Sequence, residues 1–192
     1  ETDEILLLQI GSGFRTKGLD RSLRAIASLP IKLKSKIKFF VIGEDDPSEY
    51  ISQAQKLNIA DIVTFFSGRG DIPKFLQGSD VLLHPSYAEN TGGVILEALV
   101  AGFPSIVTDV CGYAHYVKEA QAGILLDSPY SQNRFNRNLE EILLADKLIL
   151  RNNGINFSNS ADIYDMPLKA AEVIDRVIKK KWTKKNWMDK VE

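Results

Sequence analysis

Six short apolar runs constrain this chain more than any other feature. They lie at 5–10, 37–42, 62–66, 81–84, 105–108 and 123–126. Each is rich in β-branched or aromatic residues and mostly continuous rather than alternating, the pattern of a strand buried on both faces of a parallel sheet. Helical patterns lie between them, at 19–28, 48–57, 72–78, 92–100 and 114–119, with Ser48 and Asp71 as expected N-caps. Two further helical stretches follow, at 131–145 and about 165–181. Strand and helix in alternation, joined by short loops, predict a doubly wound α/β fold with a parallel sheet of about six strands flanked by helices. Ligands of such sheets sit beyond the carboxyl ends of the strands. The loops that follow the strands are therefore where function is to be read.

The first of these is "QIGSGFRTKG", Gln9 to Gly18. It is not the dinucleotide fingerprint, which needs a third glycine where this chain has Thr16, and it is not a Walker A loop, because the order here is Thr16-Lys17-Gly18. What remains is a strand, a small-residue turn and a helix. Backbone N–H groups, a helix N-terminus, Arg15 and Lys17 all favour an anion there. An ordinary βα loop with two solvated cations has the same composition. The fourth loop says more. "HPSYAENTGGVILEALVAG" sets Glu89 in a loop, Gly92 and Gly93 at a helix start and Glu97 within that helix, with seven residues between the glutamates. Free N–H groups of Gly92, Gly93 and Val94 would face a diphosphate, and glycine lets the backbone come close. Glu97 is placed to accept from both ribose hydroxyls, and Glu89 to reach a sugar.

These stretches resemble the retaining glycosyltransferases of the GT-B fold, family 4. The resemblance runs from Ile5 to about Leu126, through "IGSGFRTKG", "FFVIGEDDP", "VTFFSGRGDIPKFLQGSDVLLHPS", "ENTGGVILEALVAGFPSIVTD" and "CGYAHYV". "GSGF", "FFSGR", "LLHP" and "VCGYAHY" are similar to the subgroup that puts glucose on inner-core heptose of lipopolysaccharide. The resemblance implies the C-terminal, Rossmann-like half of a GT-B fold. Residues 1–160 would bind the nucleotide sugar, and 161–192 would hold the crossover helix and a basic tail. An N-terminal half, absent here, would carry the heptose acceptor site. The donor would be UDP-glucose, used without a metal or other cofactor. Lys17 would neutralise its diphosphate, assisted by Arg15. Gly11, Ser12 and Gly13 would belong to the same phosphate loop. Thr91, Gly92, Gly93 and Val94 would form the phosphate-binding helix start, Glu97 would hold the ribose, Glu89 would lie near the hexose, and Arg69 beside the base. The wider family has Arg at the position of Ser12, Gly at Cys111 and Glu at His115; the departures match the heptose-glucosylating subgroup.

Blander readings stand beside these. Arg69 also reads as a surface charge, His84 and His115 as structural histidines, and Cys111 as an inert small residue. "EDDP" at 44–47 reads as a turn with caps rather than a metal site, and the chain holds no Asp-x-Asp. A net charge of −1 gives no sign of nucleic acid. One cysteine permits no disulfide within the chain, which suits a reducing compartment. No apolar run approaches the roughly 20 residues that span a bilayer, and the start lacks a secretory leader pattern. Only "ETDE" precedes the first strand, as in an excised domain. The tail "KKKWTKKNWMDK" mixes lysine with tryptophan, making it a candidate for contact with a membrane surface. The expectation is a cytoplasmic protein peripheral to the inner face of the inner membrane. Two alternatives stay open: a relative using UDP-galactose or GDP-mannose, and a non-catalytic nucleotide- or membrane-binding module.

Overall fold

A computed structural model describes residues 3–163 and 165–179. Six strands form one parallel sheet: β1 (Ile5–Ile10), β2 (Ile37–Ile42), β3 (Val63–Phe66), β4 (Val81–His84), β5 (Ser105–Thr108) and β6 (Gly123–Leu126). Their order across the sheet is β3-β2-β1-β4-β5-β6. The chain thus builds outward from β1 in one direction, returns, and builds outward from β4 in the other. The helices are α1 (Leu19–Ala27), α2 (Ile31–Lys34), α3 (Ser48–Lys56), α4 (Ile72–Gly78), α5 (Gly93–Val100), α6 (Ala114–Glu119), α7 (Gln132–Leu144), α8 (Lys147–Ser160) and α9 (Met166–Lys179).

Continuous apolar strands follow from this arrangement, because side chains alternate between faces and both faces are covered. Leu7, Phe39, Val41 and Leu83 pack with Leu19, Leu23 and Ile26 of α1, Ala54 of α3 and Phe135 and Leu139 of α7. Their strand neighbours Leu8, Ile42 and Leu82 pack on the other face with Leu76 of α4 and Ala98 of α5. Each fully buried Leu, Ile, Val or Phe among them stabilises by about 1.5–3 kcal/mol relative to exposure. In α1 the buried leucines and isoleucine recur at helical spacing, while Asp20 and Arg24 pair on the other side.

Two helix starts differ from the sequence reading. Ser48 is already inside α3, whose N-cap is Pro47; one residue before it, Asp46 Oδ1 accepts from the Ser48 N–H at 3.0 Å. Asp71 stands at the N-cap of α4, yet its carboxylate turns to Arg69 instead of the helix. Two helices carry no sequence signal. The four-residue α2 buries nothing. In α8, Asn, Gly and Ser dilute the helical pattern. Its Gly154 is buried so close to α5 that a Cβ there would lie 3.1 Å from the Leu99 carbonyl oxygen. Packing, not propensity, makes that helix.

The chain divides into two compact units, Glu1–Asn159 and Ser160–Glu192. Within the second, Asp162 pairs with Lys169, and α9 exposes Val173, Ile174, Val177 and Ile178 at helical spacing. Among the described residues no helix is long and apolar enough to cross a membrane. The lysine- and tryptophan-rich tail lies outside the described residues.

Candidate nucleotide-sugar cleft

The strand order makes β1 and β4 neighbours whose outgoing chains cover opposite faces of the sheet. Loops leaving them must part, and a crevice opens where they do. A cleft of about 730 Å³ lies there, within the usual range for small-molecule sites. Gly11 and Lys17 line it from the loop after β1. His84, Glu89, Thr91, Gly92, Gly93, Val94 and Glu97 line it from the end of β4 and from α5. Ile72, Pro73, Leu76 and Gln77 of α4 form a largely apolar wall.

The two loops are tied together. Gly18 is left-handed, with φ of 71°, and a Cβ there would stand 2.1 Å from the Pro85 carbonyl oxygen, so only glycine fits. The Tyr87 N–H donates to the Thr16 carbonyl at 2.8 Å. Buried Arg21 donates through Nη1 to the carbonyls of Pro85 and Ser86 at 3.0 and 3.1 Å. Its guanidinium lies between the rings of Tyr87 and Tyr130, 3.5 and 3.6 Å from their centroids, a doubled cation–π contact. Behind Lys17, Gln9 Nε2 donates to the Lys17 carbonyl at 3.1 Å and accepts at Oε1 from the Ser22 hydroxyl at 2.7 Å.

At the centre, Lys17 and Glu89 form an ion pair that links the loops. His84 Nε2 lies 3.4 Å from the same Glu89 oxygen, within ion-pair distance but outside hydrogen-bond geometry. Burial pushes the Glu89 carboxyl up, but the bond and charge of Lys17 outweigh it and hold the group below its ordinary range. Burial, reinforced by Lys17, drives the His84 imidazole down to about 4 against the pull of Glu89. His84 is therefore neutral near pH 7. Helix α5 starts from Gly92, left-handed at φ 78°, with no side-chain cap. Its first N–H groups and dipole are available at the cleft. Glu97 follows one turn in, exposed.

Other expected site residues fall elsewhere. Arg15 is not brought to Lys17. It lines a separate hollow of about 720 Å³ with Asp20, Glu49 and Tyr87. The loop coils there, with Lys17 N–H bonded to the Gly13 carbonyl and Gly18 N–H to that of Arg15, and residues two apart in a coil face different ways. Gly13 lines neither cavity, and its N–H is taken by Asp45 Oδ2 at 2.6 Å. Ser12 and Arg69 line a third, more open hollow of about 450 Å³. It adjoins the cleft through Ile10, Gly11 and Ile72, which line both. Arg69 is held there by Asp71 at 2.8 and 3.0 Å and lies 5.0 Å from the Phe75 ring centre. His84, read from sequence as structural, lines the cleft; its place at the carboxyl end of a switch-point strand was the available signal. Among the described residues no group of three His, Cys, Asp or Glu is placed to hold a metal.

Comparison with known proteins agrees with this geometry. The chain is 43% identical over 171 residues, 88% of its length, to the lipopolysaccharide glucosyltransferase WaaG of Escherichia coli K12, and covers 46% of that protein. It superposes on the crystal structure of WaaG with a TM-score of 0.87 at 41% identity, over 91% of this chain and 48% of that one. HepE of Anabaena, crystallised with UDP-glucose, matches with a TM-score of 0.73 over 90% of this chain and 49% of its own. At 23% identity that likeness concerns the fold alone. The chain thus spans about half the length of each of these proteins, and its sheet is the Rossmann-like sheet of GT-B glycosyltransferases. Residues 1–157 match the family described as glycosyl transferases group 1, and the chain belongs to that family.

Proposed function

We propose that this chain is the donor-binding half of a retaining glycosyltransferase that moves glucose from UDP-glucose to a heptose of the lipopolysaccharide core. One observation carries the reading: Lys17 and the uncapped start of α5 face the same switch-point cleft from opposite walls. An ammonium and a helix N-terminus together make a diphosphate site. On this reading Gly92, Gly93 and Val94 hold the diphosphate with Lys17, Glu97 accepts from the ribose hydroxyls and Glu89 orients the hexose. The adjoining hollow with Ser12 and Arg69 takes the base. Leaving-group charge is met by Lys17 and the helix dipole, without metal. The WaaG relative supports glucose and lipopolysaccharide, and the UDP-glucose complex of HepE supports a uridine donor on this fold. The acceptor site belongs to a half outside this chain.

Calorimetric titration with UDP, GDP and UDP-glucose, with and without chelator, tests this. The expected result is UDP and UDP-glucose binding that survives chelation and weakens at least about tenfold in Glu97→Ala, since a charge-assisted bond contributes about 1.5–3 kcal/mol. GDP preference would retain the family and replace the glucose assignment. Binding that requires a divalent ion would overturn the metal-free mechanism.

A further inference from the structure

His84 ends β4 at the cleft, only 1% exposed, and neither ring nitrogen has a hydrogen-bond partner. Buried polar atoms are normally satisfied, so an orphan 3.4 Å from a carboxylate at a ligand site points to a bond that forms only when the site's charges rearrange. The charges around it sharpen the point. The titratable groups lining the cleft are Lys17 from the loop after β1, Glu89 from the loop after β4, Glu97 on α5 and His84 itself. The α4 wall contributes none, and Cys111, on the turn after β5, is kept a neutral thiol by burial. The cleft lining therefore sets one ammonium against two carboxylates. A nucleotide-sugar diphosphate adds two more negative charges. Lys17 cannot neutralise these and Glu89 together, and a carboxylate left bare beside a phosphate is repelled. Among the described residues, His84, 3.4 Å from Glu89, is the one remaining lining group able to become a cation.

Resting on the donor-site reading, we propose that nucleotide-sugar binding recruits a proton to His84. The diphosphate draws Lys17 away from Glu89, and a protonated His84 takes over the carboxylate. The proton comes from solvent; no covalent bond changes. Burial is the largest cause of the free-state value and stays in place, so the sign of the change comes from the charges: Lys17 suppresses protonation and Glu89 promotes it, and matching Lys17 with phosphate leaves the promoting charge. His84 is then a positioning residue. It holds Glu89 toward the hexose once the lysine has moved to the phosphates.

The test is imidazole ¹⁵N NMR on the full 192-residue chain at pH 6, titrated with UDP-glucose, whose diphosphate does not itself titrate there. The chain has two histidines. Exposed His115, bonded to the Gly112 carbonyl at 2.8 Å, serves as internal control. The expected result is conversion of His84 from the neutral to the imidazolium pattern at saturation, with His115 unmoved. Calorimetry in two buffers of different ionisation enthalpy should show matching proton uptake. His84→Gln, which can donate to Glu89 but carries no charge, should weaken UDP-glucose binding about tenfold and abolish the uptake. A His84 that stays neutral when saturated overturns the exchange while leaving the donor site standing, and so does unchanged uptake in His84→Gln. No binding of UDP-glucose at all overturns the donor-site reading and the exchange with it. The wild-type spectrum decides even where the variant does not fold.

Discussion

A single imidazole illustrates how residue chemistry sets this protein's acid sensitivity. Free histidine titrates near pH 6.5, whereas His84 in the folded chain is held to about 4, chiefly by burial. Between those values the unfolded chain takes up a proton that the folded chain refuses. Stability is therefore full above about pH 6.5 and falls as pH drops toward 4, by about 3 kcal/mol for this group. Glu89 adds a loss lower down, because its depressed carboxyl favours the folded state only while ionised. Urea unfolding of wild type and His84→Gln at pH 7 and pH 4.5 should show the variant losing less stability on acidification; equal losses would contradict the assignment. That Lys17, Glu89 and Glu97 would share one cleft was legible in sequence, because cation, glycine pair and carboxylates follow strands β1 and β4. The place of His84 at the end of β4 was a signal of the same kind, but its depressed titration was not legible, since that comes from burial between two charges set by loops far apart in the chain. Arg15 was misplaced because linear spacing does not reveal which way a coiled loop turns its side chains.

Among the elements, the loop after β4 carries Glu89 yet depends on α1 for its position. Gly18→Ala would force a left-handed alanine and a clash with the Pro85 carbonyl. It should cost about 1–3 kcal/mol and weaken UDP-glucose binding by displacing Glu89. Arg21→Met keeps much of the stem but removes both bonds to Pro85 and Ser86 and the contacts with the two tyrosine rings. A loss of about 2–3 kcal/mol in denaturant unfolding is expected, with weakened nucleotide affinity in the fraction that remains folded. Unchanged affinity in Arg21→Met would mean that the loop holds itself. All six strands were readable because burial on both faces leaves a mostly continuous apolar run, interrupted at positions such as exposed Lys38 of β2 and Thr64 of β3. Helix α8 was not, because its register depends on a glycine fitting against Leu99 of α5, a relation between elements that no local window contains.

At the scale of the whole molecule, the chain covers 46% of its E. coli relative. No acceptor-binding group is assigned to the donor cleft. The 192-residue chain should therefore bind UDP-glucose without transferring glucose to a heptose acceptor; turnover in such an assay would place the acceptor site within these residues. The doubly wound fold was legible from alternation alone, but the strand order, which decides where the cleft opens, is a tertiary fact. That order has a further result. β1 and β4 share two register pairs, Leu7 with Val81 and Leu8 with Leu82, against six between β1 and β2. The sparsely stitched joint of the sheet thus runs directly beneath the loops that form both walls of the cleft. A donor touching both walls would act as a clasp on that joint. The lifetime of each copy before a protease finds purchase would then track the supply of the sugar nucleotide it uses.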